Sequence, residues 1–192
     1  MTAPDWAPRP AVIDANVLFS ATVRDLLIRC HIAGLLRIHW TDRILDETFM
    51  AIARQRPGLE ADRLRRTRQL MNEAARGANI THLVVEDFDF ANVVVPDEND
   101  LHVVRAAASI QADVVTWNLA DFPPTVIDRF GITAVSPDTY LDSNVVDPEL
   151  FLRIVAQQAH DLRTPPTTVE MLLGRFDNQG LCNFVSRLRG HG

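Results

Sequence analysis

The sequence predicts an α/β fold in which helices cover both faces of a parallel sheet. Short apolar β-type runs alternate with longer amphipathic helical patterns as far as Val146. Two of these runs end in polar residues: Ala11-Val12-Ile13 runs into Asp14, and Val114-Val115-Thr116-Trp117 into Asn118. The carboxyl ends of strands are where open parallel sheets bind ligands. From Asp147-Pro148 the pattern is helical only, which predicts an α/β domain over residues 1–146 and a helical extension over 147–192.

In chain order, the first strand ends at Asp14 and a helix is expected from Ala15 to Leu36. Leu36 to Trp40 reads as a strand. Thr41 is placed to cap a helix from Asp42 to about Arg54, and Pro57-Gly58 ends it. Leu59 to Ala75 reads as an Arg-rich helix with Gly77 at its end. The apolar runs His82–Val85 and Val93–Val95 read as β-type, with Pro96 ending the second. Asp97 to Ile110 reads as helix, Val114 to Trp117 as strand, and Pro123 to Phe130 as a short helix closed by Gly131. Ile132 to Val135 is the last strand, followed by a helix with Ser136 as cap and Pro137 in its first turn. The extension holds three helical segments: Pro148–Arg163, Thr168–Arg175 and Leu181–Arg189. Pro165-Pro166 is the hinge, and Thr167-x-x-Glu170 offers a capping box. The last two segments are too short to be stable alone. Their apolar residues must be buried on the chain's own core or in a partner.

Composition narrows the class. With 192 residues, 47% hydrophobic and 23% charged, the chain can bury a real core. It contains no apolar run long enough to span a bilayer and no apolar secretory leader in Met1–Pro10, so a cytoplasmic location is expected. Cys30 and Cys182 lack metal-ligand spacing and are expected as free thiols. The net charge of -6 excludes a uniformly basic nucleic-acid coat. Every cation is Arg, however, and seven lie between Arg54 and Arg76. Arg63, Arg65 and Arg66 could hold a phosphate backbone, or the segment could be a solvated helix face with i,i+4 ion pairs.

Acidic residues recur where the pattern places the sheet's edge. Asp14 could cap the next helix or serve as a ligand. Glu47 lies beside a buried stripe, between Ile44 and Ala51, whereas Asp46 points further toward solvent; read alone, Glu47 could equally be a surface residue of its helix. Asp97 is placed to be a helix cap. Asp100 heads the face carrying Val103, Val104 and Ala107, a position better explained by a metal or hydrogen-bonded network than by packing. Asp121 follows Asn118 and could be only a turn residue. Asp14, Asp100, Asn118 and Asp121 would meet at one sheet edge, with Glu47 brought in by a neighbouring helix. Packed carboxylates need protons or cations. An all-oxygen donor set favours Mg²⁺ or Mn²⁺ over Zn²⁺.

The order Val-Ile-Asp14-x-Asn16, Leu-Asp-Glu47, Pro-Asp97-x-x-Asp100-x-x-Val-x-x-Ala-Ala and Thr116-x-Asn118-x-x-Asp121-Phe122 resembles a PIN domain, and more narrowly the VapC-type toxins of toxin–antitoxin pairs. The likeness covers roughly residues 9–143. It implies a three-layer α/β/α fold, a Mg²⁺- or Mn²⁺-dependent endoribonuclease, homodimers, and inhibition by a small antitoxin. Mapped onto this chain, the core acids are Asp14, Glu47 and Asp100, and the fourth acidic position falls on Asn118, with Asp121 close by. The expected metal ligands are Asp14, Asp100 and Glu47. Asn118 and Asp121 complete the pocket, Asn16 and Thr116 are candidate substrate contacts, and RNA would enter along the Arg54–Arg76 face. In-line attack of water on the phosphodiester would leave a 5′-phosphate and a 3′-hydroxyl. Two rivals stand beside this reading. One is a PIN-like module that binds RNA or protein without cutting. The other is a phosphotransfer enzyme or receiver-type domain with Asp14 as nucleophile, opposed by Asn16 standing where dehalogenase-type enzymes want a second Asp.

Overall fold

The computed structural model describes residues 8–84 and 95–191. Strand β1 (Pro10–Ile13) is central, and its Ala11, Val12 and Ile13 are fully buried. This continuous apolar run is what a parallel strand covered on both faces requires. It leads through α1 (Ala15–Leu18) and α2 (Ala21–Ile32) to β2 (Arg37–His39). Then come α3 (Asp42–Gln55), α4 (Ala61–Ala74), α5 (Leu101–Ile110), β3 (Asp113–Val115), α6 (Pro124–Ile127), β4 (Ala134–Val135) and α7 (Pro137–Asn144). The strands lie in the order β2-β1-β3-β4, all parallel, with Ala11 opposite both Ile38 and Asp113. Successive connections therefore run in opposite directions from β1. Right-handed crossovers then place helices on both faces, with α2 against β2 and α5 against β1 and β3. The result is a three-layer α/β/α fold.

The reversal of strand order falls between β1 and β3. It opens a crevice at their carboxyl ends, where Asp14 and Thr116 follow the last paired residues, Ile13 and Val115.

Several elements differ from the sequence pattern. The expected helix from Ala15 to Leu36 is two helices, because Ser20 takes an extended conformation and its hydroxyl caps α2 at the Val23 amide. His82 lies in a 3-10 turn, Thr81–Leu83, and not in a strand. The Asn79 side chain accepts hydrogen bonds from both the amide and the hydroxyl of Thr81, curling the backbone. Of the two β-type runs, Val85, Val93 and Val94 lie outside the described residues. Val95 is buried but belongs to no strand. The helix expected from Asp97 begins as a 3-10 turn over Glu98–Asp100, capped by Asp97 at the Asn99 amide.

The C-terminal helices are α8 (Pro148–Asp161), α9 (Val169–Asn178) and α10 (Cys182–Arg189). The cap of α9 is Thr168 and not Thr167, whose hydroxyl donates instead to the Pro165 carbonyl. Most of their apolar residues are buried on the chain's own body, with Met171 left exposed. Helix α8 lies on α2, and α10 lies on α7. Phe184 meets Phe151 and Phe176 edge-on, with ring centroids 5.8 and 6.5 Å away.

Candidate active site

Asp14 ends β1 and is only 6% exposed. One carboxylate oxygen caps α1, accepting from the Ala15 amide at 2.6 Å. The other accepts from the Asn16 amide group at 2.6 Å and from the Thr116 hydroxyl at 2.8 Å. Capping and site-building are thus the same placement. Asn16 spans the β1/β3 crevice: its carbonyl oxygen accepts from the Trp117 amide at 3.1 Å, and its amino group reaches the fully buried Thr116 hydroxyl at 2.8 Å. The Asn118 amide donates to that same hydroxyl. The Asn118 side chain in turn donates to the Asp121 carboxylate. The polar residues that end two strands therefore form one network.

Asp100 stands at the start of α5 and is half-buried. Desolvation, together with the charges of Asp14, Asp121 and Asp97, pushes its carboxyl up to about 7, and a hydrogen bond with Asp121 adds to the rise. Burial also raises Asp14, with Glu47 adding to the rise and the bonds from Thr116 and Ala15 opposing it. Glu47, on α3, is raised by desolvation and by Asp46 and Asp97, against Arg43, which donates to it at 3.3 Å. The structure thus gathers Asp14, Asn16, Asp100, Thr116, Asn118 and Asp121 at the crevice, with Glu47 at its margin.

One residue of the site was not singled out by the sequence pattern. His102 places Nδ1 2.6 Å from the Asn99 carbonyl oxygen, so Nδ1 carries a proton. Its Nε2 lies 3.3 Å from Glu47 Oε2, yet it is buried and makes no hydrogen bond of proper geometry. Desolvation lowers the proton affinity of the imidazole and raises that of Glu47, so burial disfavours charge on both partners of this contact. The sequence offered no clear signal, because a histidine in the first turn of an amphipathic helix usually faces water.

The donor chemistry fits a hard divalent cation. Neighbouring carboxylates that raise the pKa of Asp100 and of Asp14, and an orphaned imidazole nitrogen facing a carboxylate, both call for positive charge. Among the described residues, no three His, Cys, Asp or Glu side chains converge closely enough to hold one ion as they stand. The spacing is therefore wider than a coordination shell.

Of the predicted arginine face, Arg56 lines the cleft beside the site, while Arg63, Arg65 and Arg66 do not. Arg63, Arg65 and Arg66 are exposed on α4, and Arg65 pairs with Asp62. Arg68 is spent on Asp42 and Asp46, tying α4 to α3. A cleft of about 550 Å³ adjoins the site, running from Asn16 and Trp117 past Arg24 and Arg56 to Leu64 and Gln179.

Residues 10–120 match the family model of the PIN domain, more than half of the chain, and the chain belongs to the PIN-domain family. Residues 145–190 match the model of the VapC50 C-terminal domain, so the chain is VapC-like as well. Comparison with curated proteins and with solved structures gives no significant match. None of the described helices is long and apolar enough to cross a membrane.

Proposed function

We propose that this chain is a divalent-metal-dependent endoribonuclease, the toxin of a toxin–antitoxin pair, hydrolysing RNA to 5′-phosphate and 3′-hydroxyl ends. The observation that carries the reading is the mutual repulsion of Asp100, Asp14 and Asp121 at the β1/β3 crevice, with Asp100 pushed up to about 7. Such a cluster is relieved by protons at low pH or by a bound cation near neutrality, and a cation is the relief that leaves the carboxylates acting as ligands. Asp14 and Asp100 would hold Mg²⁺ or Mn²⁺, with Glu47 at its margin. Bound there, such a cation would supply Lewis acidity, lowering the pKa of water and offsetting charge on the phosphate.

The chain's own residues do the positioning. Thr116 and Asn16 fix the Asp14 carboxylate through two short hydrogen bonds, so it cannot swing away when charge arrives. Asn118 orients Asp121, and Arg43 holds one oxygen of Glu47. RNA as substrate, an antitoxin partner, a homodimer, a cytoplasmic location and the division into residues 1–146 and 147–192 belong to the same proposal, supported by the PIN and VapC50 matches.

The test is RNA cleavage with Mg²⁺ or Mn²⁺ against EDTA, with end-group analysis, in the wild type and in Asp14→Asn. Cleavage that needs the metal and is lost in the variant is expected. Metal-independent cleavage, or 2′,3′-cyclic ends, would reject the mechanism. The second reading is a non-cleaving RNA- or protein-binding module. It is favoured by Asn118 at the fourth acidic position and by the wide carboxylate spacing, and it predicts no divalent-metal uptake.

A further inference from the structure

The cleft beside the carboxylates has the size of a small-ligand site and an unusual charge for a chain of net -6. Its wall carries Arg24 and Arg56; burial lowers the proton affinity of Arg24, the charge of the adjacent Asp25 opposes this, and repulsion by Arg56 adds to the lowering. Neither has a carboxylate in ion-pair contact among the described residues. Arg24 is held by the carbonyls of Leu18 and Phe19, which fix its guanidinium without neutralising it. Two guanidinium groups in one concave wall, neither held in an ion pair among the described residues, suit a phosphate.

The other wall is aromatic. Trp117 is 37% exposed and follows Thr116 directly, so one side of its backbone is pinned to Asn16 and the carboxylate network. The turn between α9 and α10 backs the ring. Gly180 has φ +90°, and a Cβ there would stand 3.3 Å from the Trp117 ring. Next to it, Gln179 lines the cleft, its carbonyl oxygen accepting from the Ser20 hydroxyl at 2.5 Å. That bond leaves the amide NH₂ to meet a ligand.

Resting on the reading of this site as an RNA-cleaving centre, we propose that the cleft binds one unpaired nucleotide next to the scissile bond. The base lies on Trp117, the backbone phosphate sits on Arg24 and Arg56, and Gln179 reads the base edge. The C-terminal helices thereby shape substrate selection and do not merely stabilise the fold.

The test measures binding of fluorescent single-stranded oligo(A), oligo(U) and oligo(C) to the full chain in EDTA. Trp117→Leu should weaken all three about tenfold, the scale of one missing base stack, and Trp117→Phe should retain most of the affinity. Arg56→Gln should weaken binding and flatten its salt slope by about 0.7, the value of one neutralised phosphate on a single strand. Gln179→Ala should change the ranking of the three oligonucleotides. Wild-type affinity and ranking in the Trp117→Leu, Arg56→Gln and Gln179→Ala variants would overturn the proposal, while metal-dependent cleavage by the wild type would keep the nuclease reading. Failure of the wild type both to bind and to cleave would overturn both. Oligoglutamate binding that depends on Arg56, with RNA binding indifferent to it, would replace the nucleotide by an acidic protein partner.

Discussion

His102 turns a bare, buried Nε2 toward Glu47 Oε2, 3.3 Å away, across the interval between helices α5 and α3. With Nδ1 occupied by the Asn99 carbonyl, only Nε2 is left to face Glu47, and desolvation disfavours charge on both groups. A shared proton or a cation bound beside the two groups would satisfy the contact. A cation that binds only the folded state must raise its melting temperature by mass action.

Mg²⁺ or Mn²⁺ is accordingly expected to raise the Tm of the wild type in thermal unfolding. Asp14→Asn should abolish most of that gain and His102→Ala part of it. Equal metal-dependent shifts in the wild type and Asp14→Asn would exclude Asp14 as a ligand.

Asp100 supplies a pH test in the absence of metal. Its carboxyl titrates near 7 in the folded chain, against an ordinary value of 3.8. A folded-state pKa above the unfolded one means the folded state binds the proton more tightly, so this group stabilises the fold as pH falls from 7 toward 4. Above pH 7 the ionised group opposes folding. Asp100→Asn should therefore be more stable than the wild type above pH 7 in EDTA, and the gap should close as pH falls toward 4. A gap that is flat across this range would mean that Asp100 is not held in a repelling cluster.

The arginine face gives a separable prediction. Arg63, Arg65 and Arg66 are exposed on α4, and replacing all three by Gln should leave the Tm nearly unchanged. RNA affinity should fall, and its salt slope should flatten by about 0.7 for each phosphate that is no longer neutralised. Arg65 already pairs with Asp62, so its share should be small. Filter binding at several salt concentrations measures both quantities, and an unchanged slope would mark the segment as a solvated face.

How much of this was legible in the sequence depended on whether the signal was local. Asp14, Asn118 and Asp97 could be placed because a strand end or a helix start announces itself within a few residues. Ser20 was missed because the apolar stripe continues across it, and only its cap to Val23 breaks the helix. Arg68 resembled its neighbours in sequence, yet it faces Asp42 and Asp46, some two dozen positions back, because α4 packs on α3. His102 became part of the site through the same kind of packing. Choices between a long-range partner and water are made by tertiary contact, which periodicity does not encode.

The C-terminal helices give the last prediction. Asp138 on α7 accepts hydrogen bonds from the Phe184 amide at 2.9 Å, the Asn183 amide at 3.2 Å and the Asn183 side chain at 2.7 Å. It thus caps α10 from a different helix, satisfying amide donors at an end whose own cap residue, Leu181, has no side chain to do so. Arg187 pairs with Asp142 one turn further along. Leu172, Phe176, Leu181, Phe184 and Leu188 are all fully buried, so removing α9 and α10 would strip cover from α7 and α8. Truncation after Pro165 should therefore yield an insoluble or unfolded chain. Phe184→Ala should cost about 3–5 kcal/mol, the usual range for a buried aromatic. Asp138→Ala should cost about 1–3 kcal/mol, chiefly for the Phe184 amide left buried and unpaired. Urea denaturation measures the two substitutions and circular dichroism the truncation. A soluble, cooperatively folding chain ending at Pro165 would show that the last two helices are dispensable for the fold.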